Sequence, residues 1–152
     1  MRKSSFAAIL LAVTGACAAL PAAAQFARPD EAIKYRQGAW TVLNVHFTRV
    51  GKMVLGRLPF DARVAQQDAD VVATLARLPG TAFAAGTHTA ADKARPEIWA
   101  EPARFRELNE RLVTETGRLQ VAARTQDLDQ IKAAYGAAAN TCKECHDAYR
   151  SH

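Results

Sequence analysis

The sequence predicts an all-α protein folded as an antiparallel, up-down-up-down four-helix bundle. Apolar residues recur at helical spacing in four stretches, Pro and Gly separate these stretches, and most of the connections are short. Each stretch has ~17–25 residues, a length that suits the helices of one bundle. The chain shows neither a convincing alternating strand pattern nor an internal repeat, so a single helical domain is expected.

The first predicted helix spans residues 29–54. Pro29 and Asp30 are residues that favour a helix start. Two apolar stripes repeat every seven positions, as expected for a helix that packs in a bundle. The first stripe contains Ile33, Trp40, Phe47 and Val54, and the second contains Arg36, Leu43 and Val50.

The remaining helices follow in order, and one long connection lies between the second and the third. The second helix is predicted over residues 61–78 and ends at Pro79-Gly80, and residues 81–100 are predicted to be irregular. The third helix starts near Pro102, with an apolar stripe of Phe105, Leu108, Leu112, Leu119 and Ala122. The fourth begins at Asp127, whose side chain can cap the amide of Gln130.

Near its C-terminus the chain carries the run C-x-x-C-H at residues 142–146. This spacing is typical of c-type haem attachment: two thiols form thioethers with the haem vinyl groups, and the adjacent imidazole binds the iron. One helical turn presents Cys142, Cys145 and His146 on neighbouring parts of one face. A zinc site lacks a second Cys pair, a redox pair normally begins a helix, and disulfide staples normally come in several pairs. The run therefore predicts one covalently bound haem c per chain.

The N-terminus predicts export. A basic start at Arg2 and Lys3, an apolar segment and the small residues 22–24 resemble a signal peptide covering residues 1–24, which leaves residues 25–152 as the mature domain. A lipid-attached Cys17 is the alternative, although Thr14 disfavours it. Haem c is attached outside the bacterial cytoplasm, so the leader and the haem motif together predict a periplasmic protein.

Charge and hydropathy exclude two classes of partner. Removal of the leader lowers the formal charge from +5 to +3, and the basic residues are dispersed, so nucleic acid binding is not expected. The apolar part of the leader is too short for a permanent membrane anchor, and no later segment is long and apolar enough for a span.

Arg36 is an anomaly on an inward stripe, because a buried guanidinium needs an anionic partner. Its own helix offers no acid three or four residues further on. A haem propionate would satisfy Arg36, and Gln37 can hydrogen-bond the same group. The alternative is a side chain that extends to the bundle end and keeps its charge in water.

In such a bundle His146 lies level with the first turns of the first helix. Met53 is then roughly 25 Å and His46 about 15 Å from that level, so neither reaches the iron. Trp40 lies within reach and can crowd the second axial position without binding the metal. His88 lies in the long connection at the same bundle end and remains an alternative ligand. A five-coordinate iron is the favoured expectation.

The mature sequence resembles cytochrome c′, the class II c-type cytochromes, over essentially its full length. The resemblance rests on segments in three parts of the chain: residues 25–27 and 32–37, then 78–79, 82–83 and 95–99, and finally 142–150. It implies an antiparallel four-helix bundle with a high-spin, five-coordinate haem.

The resemblance also implies roles for individual residues. Cys142 and Cys145 would be the thioether sites and His146 the proximal ligand. The other implied haem-pocket residues are Arg36 and Gln37 as haem contacts, Asp92 as an acid at the haem edge, Arg150 beside the proximal face and Trp40 on the distal side. Trp40 departs from the Leu, Phe or Tyr that is usual in the family.

The leading functional hypothesis is a haem protein that binds NO or CO and undergoes one-electron redox with an unidentified partner. The resemblance implies that NO can displace His146 and bind on the proximal side, next to Arg150. O₂ is less favoured without a distal hydrogen-bond donor. The alternative is a six-coordinate electron-transfer cytochrome with His88 as second ligand. A peroxidase is disfavoured because Trp40 supplies no acid–base group.

Dimerisation is a further expectation of the resemblance. Members of the family often associate through the first helix. Here Val42, Val45 and Val50 are the candidates for an apolar surface outside the haem seam.

Overall fold

The protein is described by a computed structural model over residues 25–89 and 92–151. The predicted signal peptide and the alternative lipid site at Cys17 lie outside these residues. The described chain forms five α-helices: α1 (Pro29–Val54), α2 (Ala62–Leu75), α3 (Glu97–Ala100), α4 (Pro102–Arg124) and α5 (Leu128–Tyr149).

The four long helices form an antiparallel bundle, which confirms the predicted fold class. α1 packs on α2, α2 on α4 and α4 on α5, and α1 also contacts α5. The contacts run in opposite directions along each neighbouring pair. At one end of the bundle the last turns of α1 meet the first turns of α2, and the last turns of α4 meet the first turns of α5.

The core has three layers along the bundle axis. The layer farthest from the C-x-x-C-H run contains Val50, Met53, Ala65, Ala69, Leu119, Ala123 and Ile131. The middle layer contains Leu43, Val72, Ala76 and Leu112. The third layer, around the end of α5, contains Ile98, Leu108 and Tyr149. The middle layer places Cys142, near the end of α5, beside Trp40 and Leu43 of α1.

Two helix starts have the predicted physical cause. α1 begins with Pro29, whose missing amide hydrogen costs nothing at a position with no intrahelical partner. α5 follows Asp127, whose carboxylate accepts hydrogen bonds from the amides of Asp129 at 2.8 Å and Gln130 at 3.2 Å. The bounds predicted for α1 are confirmed at both ends.

The long connection contains more helix than the sequence predicts. α2 ends at Leu75 rather than at residue 78, and a 3₁₀ turn, Pro79–Ala82, follows it. α3 occupies four residues of the stretch predicted to be irregular. The tail beyond α5 forms a single antiparallel bridge, Ala94 with Arg150. The short helical turns and the bridge depend on packing against distant parts of the chain. Local periodicity in the sequence does not report such packing.

Within residues 25–89 and 92–151, the longest helices carry too many polar residues for any of them to qualify as a membrane span.

Candidate haem site

The last turns of α5 bring the two thiols and the imidazole together. Cys142, Cys145 and His146 lie at positions i, i+3 and i+4 of an unbroken helix, and therefore share one side of it. Both thiols are half-buried and neither forms a disulfide, while His146 is exposed. The arrangement is the one that the sequence predicts for thioether attachment beside an axial ligand.

The ionisation of the thiols argues against a redox dithiol. Burial, together with the proximity of Cys142, raises the pKa of the Cys145 thiol to about 11. Burial also raises the pKa of Cys142. A catalytic redox pair lies at a helix N-terminus, where the helix dipole lowers the thiol pKa, whereas this pair lies at the C-terminal end of a 22-residue helix.

The imidazole has the ionisation that ligation requires. Partial desolvation of the ring, followed by the positive charge of Arg150, lowers the pKa of His146, while Asp147 opposes the shift. His146 is thus biased towards the neutral form, which is the form that binds a metal.

The two thiols face two different apolar clusters. Cys142 packs against the middle core layer, as do Trp40 and Phe47. Cys145 packs against the end layer, where Trp99 and Phe105 also lie. The motif therefore bridges two apolar layers, and Trp40 shares one of them with Cys142. This environment fits a large apolar ring attached at both cysteines.

Arg36 is buried on the inner side of α1 and hydrogen-bonds the long connection. Its guanidinium is 2% exposed, so the alternative of a side chain that extends into water is wrong. Nη2 pairs with the Asp92 carboxylate, which is 7% exposed, and donates to the Thr87 carbonyl at 2.6 Å. Nη1 donates to the Ala82 carbonyl at 2.7 Å and to Thr87 Oγ1 at 3.0 Å.

The anion that Arg36 needs is thus present in the protein itself. Asp92 lies 56 residues away in the chain, far outside the neighbouring turns of α1, where the sequence has no acid to pair with Arg36. Arg36 therefore has an anionic partner without a haem propionate. The ion pair also brings together Arg36 and Asp92, which are both predicted haem-pocket residues.

Two aromatic rings lie next to the Arg36 guanidinium, and the sequence predicts no specific role for either of them. The guanidinium carbon lies 4.4 Å from the centroid of Phe83 and 6.0 Å from that of Trp99. The Trp99 indole N–H donates to the Phe83 carbonyl at 3.1 Å. Both residues belong to segments that carry the family resemblance, which was the available signal.

The remaining predicted site residues lie on the surface of this region. Gln37 is exposed beside Arg36 on α1. Arg150 is exposed immediately after α5, and its amide donates to the His146 carbonyl at 3.0 Å. Contact of either side chain with a haem stays a prediction.

The other candidate axial ligands lie in three different places. His88 is exposed, and its ring centroid lies 5.4 Å from that of Trp99. His46 Nδ1 lies 2.7 Å from Asp68 Oδ1 in the contact between α1 and α2. Met53 is buried in the core layer farthest from the motif.

A sequence model of the family described as Cytochrome C' matches residues 31–150. The chain belongs to the cytochrome c′ family. Cytochrome c' of Alcaligenes xylosoxydans xylosoxydans is 42% identical over 126 residues, which cover 83% of this chain and 98% of that protein. The implied c-type haem agrees with the donor set at the end of α5.

Solved structures of cytochromes c′ have the same fold. The crystal structure of cytochrome c' from Rubrivivax gelatinosus has a TM-score of 0.80 at 41% identity and covers 84% of this chain and 100% of that one. The nitric oxide complex of a leucine-to-alanine mutant of cytochrome c prime from Alcaligenes xylosoxidans has a TM-score of 0.79 at 41% identity, with coverage of 84% and 99%. The family consists of haem proteins that serve electron transfer and gas binding.

Proposed function

We propose that this cytochrome c′ is a periplasmic protein with one covalently bound haem c, a five-coordinate iron and an axial position that binds NO or CO. Cys142 and Cys145 hold the haem, and His146 is the protein ligand of the iron. The haem supplies a metal that binds diatomic gases and changes oxidation state by one electron. The protein is a gas-binding and electron-transfer protein rather than an enzyme.

The observation that carries the five-coordinate assignment is the placement of the other possible ligands. In residues 25–89 and 92–151, His46 pairs with Asp68 and Met53 lies in the far core, so neither reaches the motif, while the exposed His88 lies beside Trp99 and is tested by the variant below. Trp40 packs in the same layer as Cys142 and has no atom that ligates iron. An apolar neighbour excludes water and leaves NO and CO as ligands that need no hydrogen bond.

A periplasmic location is supported by the predicted leader and by the haem motif. Both require export, because the covalent attachment of haem c takes place outside the bacterial cytoplasm.

The test is titration of the ferrous, haem-loaded protein with NO, followed by absorption spectroscopy. Saturation at one NO per haem supports the proposal, and an unchanged spectrum contradicts it. His88→Ala is the companion variant. An unchanged ferrous spectrum supports the five-coordinate iron, whereas a change from low to high spin would identify His88 as a sixth ligand.

We also propose that the protein forms a homodimer through α1. Val42 and Val45 are 47% and 58% exposed on this helix, and Leu58 after its end is 41% exposed. Val50 does not contribute, because the structure buries it completely in the core, and its expected role at the surface is wrong. The exposed apolar side chains are the surface that a second copy would cover.

Sedimentation analysis tests the dimer. Val45→Lys places a charge in the proposed interface and should give a monomer, while Val121→Lys should leave the dimer intact. Val121 is 63% exposed on α4 and makes a matched control. A dimer that persists in Val45→Lys contradicts the assignment to α1.

A further inference from the structure

The chain beyond α5 is held by the long connection rather than by its own helix. Arg150 leaves the helix with φ −120° and ψ 130°, an extended conformation, and pairs with Ala94. The Arg95 amide donates to the Tyr149 carbonyl at 2.9 Å, and the Ser151 amide donates to the Lys93 carbonyl at 2.9 Å. One backbone hydrogen bond thus lies on each side of Arg150.

The same loop segment, residues 92–95, is fastened to α1 by Asp92. One carboxylate oxygen pairs with Arg36, and the other accepts the Ala94 amide at 3.4 Å. Arg36 is itself fixed by the carbonyls of Ala82 and Thr87. The connection from the buried guanidinium to Arg150, the residue after α5, is therefore continuous.

We propose that Asp92 is a positioning residue for the proximal side of the haem, because it fixes the loop segment 92–95 that pairs with residues 149–151 and thereby holds Arg150 and the end of α5 beside His146. This inference rests on the proposed function. It gives Asp92 a role through backbone pairing, in addition to the haem-edge contact that the resemblance implies.

The physical reason is that Arg150 and Ser151 are exposed and lie beyond the last turn of α5. Residues next to a helix end fray unless hydrogen bonds retain them. Asp92→Asn removes the negative charge paired with Arg36 and leaves one acceptor oxygen where the carboxylate has two, so the Ala94 amide and the Arg36 guanidinium cannot both keep their present partners. The bridge to residues 149–151 then opens more often, and the last turn of α5 that carries His146 becomes looser.

The experiment compares Asp92→Asn and Ser151→Pro with the parent in the haem-loaded full chain. Ser151→Pro removes one bridge donor and leaves every side chain around Arg36 in place. Asp129→Asn, an exposed carboxylate in the first turn of α5, is the control for the loss of one charge. The first readout is hydrogen exchange of the Arg95 and Ser151 amides in the CO-bound ferrous protein. The second is the rate at which the six-coordinate NO complex loses His146.

Asp92→Asn should speed exchange of the Arg95 amide by about tenfold or more, because local opening becomes more frequent. It should also speed the loss of His146 by at least about threefold, which corresponds to a barrier lower by about 0.65 kcal/mol. Ser151→Pro should speed both processes, and Asp129→Asn neither. If Asp92→Asn does not fold, Ser151→Pro decides alone.

Parent-like exchange and parent-like loss of His146 in both variants would overturn the inference. The same holds for faster exchange without any change at His146, since Asp92 would then only order the loop. A parent that does not bind NO contradicts the proposed function instead. In that event, the strength of the bond between the ferrous iron and His146 is compared between the variants by low-temperature spectroscopy, in place of the rate of His146 loss.

Discussion

Trp40 on α1 and Cys142 on α5 pack against the same buried layer, formed by Leu43, Val72, Ala76 and Leu112. The part of α1 around Trp40 and Leu43 therefore faces the start of the haem motif across the interior of the bundle. This relationship follows from the antiparallel order of the helices, because it sets the start of the first helix beside the end of the last. With the haem attached at Cys142 as proposed, Trp40 is a large side chain in a position to limit access to the iron.

Trp40→Ala should raise the association rate of CO with the ferrous protein by about tenfold or more. The indole obstructs the approach to the iron, and a barrier lower by about 1.4 kcal/mol gives a tenfold faster reaction. Flash photolysis measures the rate. The CO association rate of Trp40→Phe should lie between those of the parent and of Trp40→Ala. If the rate of Trp40→Ala stays within twofold of the parent, Trp40 is not the barrier.

Arg36→Met should lower the free energy of unfolding by ~3–5 kcal/mol, because it leaves the buried Asp92 carboxylate without its partner. Denaturant unfolding of the haem-loaded protein measures the change. Lys34→Met is the control: Lys34 is 74% exposed, and its pair with Asp30 should contribute ~0–1 kcal/mol.

The double variant Arg36→Met/Asp92→Asn refines this prediction. It should recover part of the lost stability, since the uncompensated charge is gone. If Arg36→Met and Lys34→Met lower the free energy of unfolding equally, the buried ion pair is unimportant for stability.

Asp68 should make the stability of the protein fall in acid. Burial would raise the pKa of Asp68, but hydrogen bonds from Arg49 and His46 outweigh burial and hold the pKa below its usual value. The carboxylate therefore stabilises the fold fully above ~pH 3.9, the unfolded value, and loses this contribution as the pH falls through the lower folded pKa.

Asp68→Asn should lower the free energy of unfolding at pH 7 by ~1.5–3 kcal/mol and reduce its dependence on pH below ~4. Denaturant titrations from pH 7 to 3 follow both effects. Asp70→Asn on the same helix, whose side chain is 43% exposed, should cost less than ~1 kcal/mol. An acid profile of Asp68→Asn identical to that of the parent would disprove the role of Asp68.

Replacement of the two thiols should abolish covalent attachment. In Cys142→Ser/Cys145→Ser no thioether can form, so the haem should separate from the denatured chain. Each single variant should retain haem through the other cysteine. Intact mass under denaturing conditions distinguishes these cases, with Ala137→Ser, exposed on the same helix, as the control. Haem that stays bound to the denatured double variant would refute the attachment at these residues.

Local signals in the sequence predict much of this fold. The starts of α1 and α5 follow from Pro29 and Asp127, since Pro and a capping carboxylate act within one helical turn. The grouping of Cys142, Cys145 and His146 follows from helical spacing alone. The opposition of Trp40 and the motif follows from short connections, which impose an antiparallel order.

The features that the sequence did not predict depend on contacts between distant segments. Asp92 meets Arg36 only because the long connection folds over the bundle end, and the bridge between Ala94 and Arg150 forms in the same way. The early end of α2 at Leu75 belongs to the same connection, where a 3₁₀ turn packs on α1. No periodicity marks such pairings, because they join residues 46 to 58 positions apart in the chain.

The most direct test of the central claim is the absorption spectrum of the purified haem-loaded protein in its ferric and ferrous states, before any gas is added. A single protein ligand, His146, predicts a high-spin, five-coordinate ferrous iron. A low-spin spectrum in both oxidation states would mean that a second side chain binds the iron, and it would contradict the account.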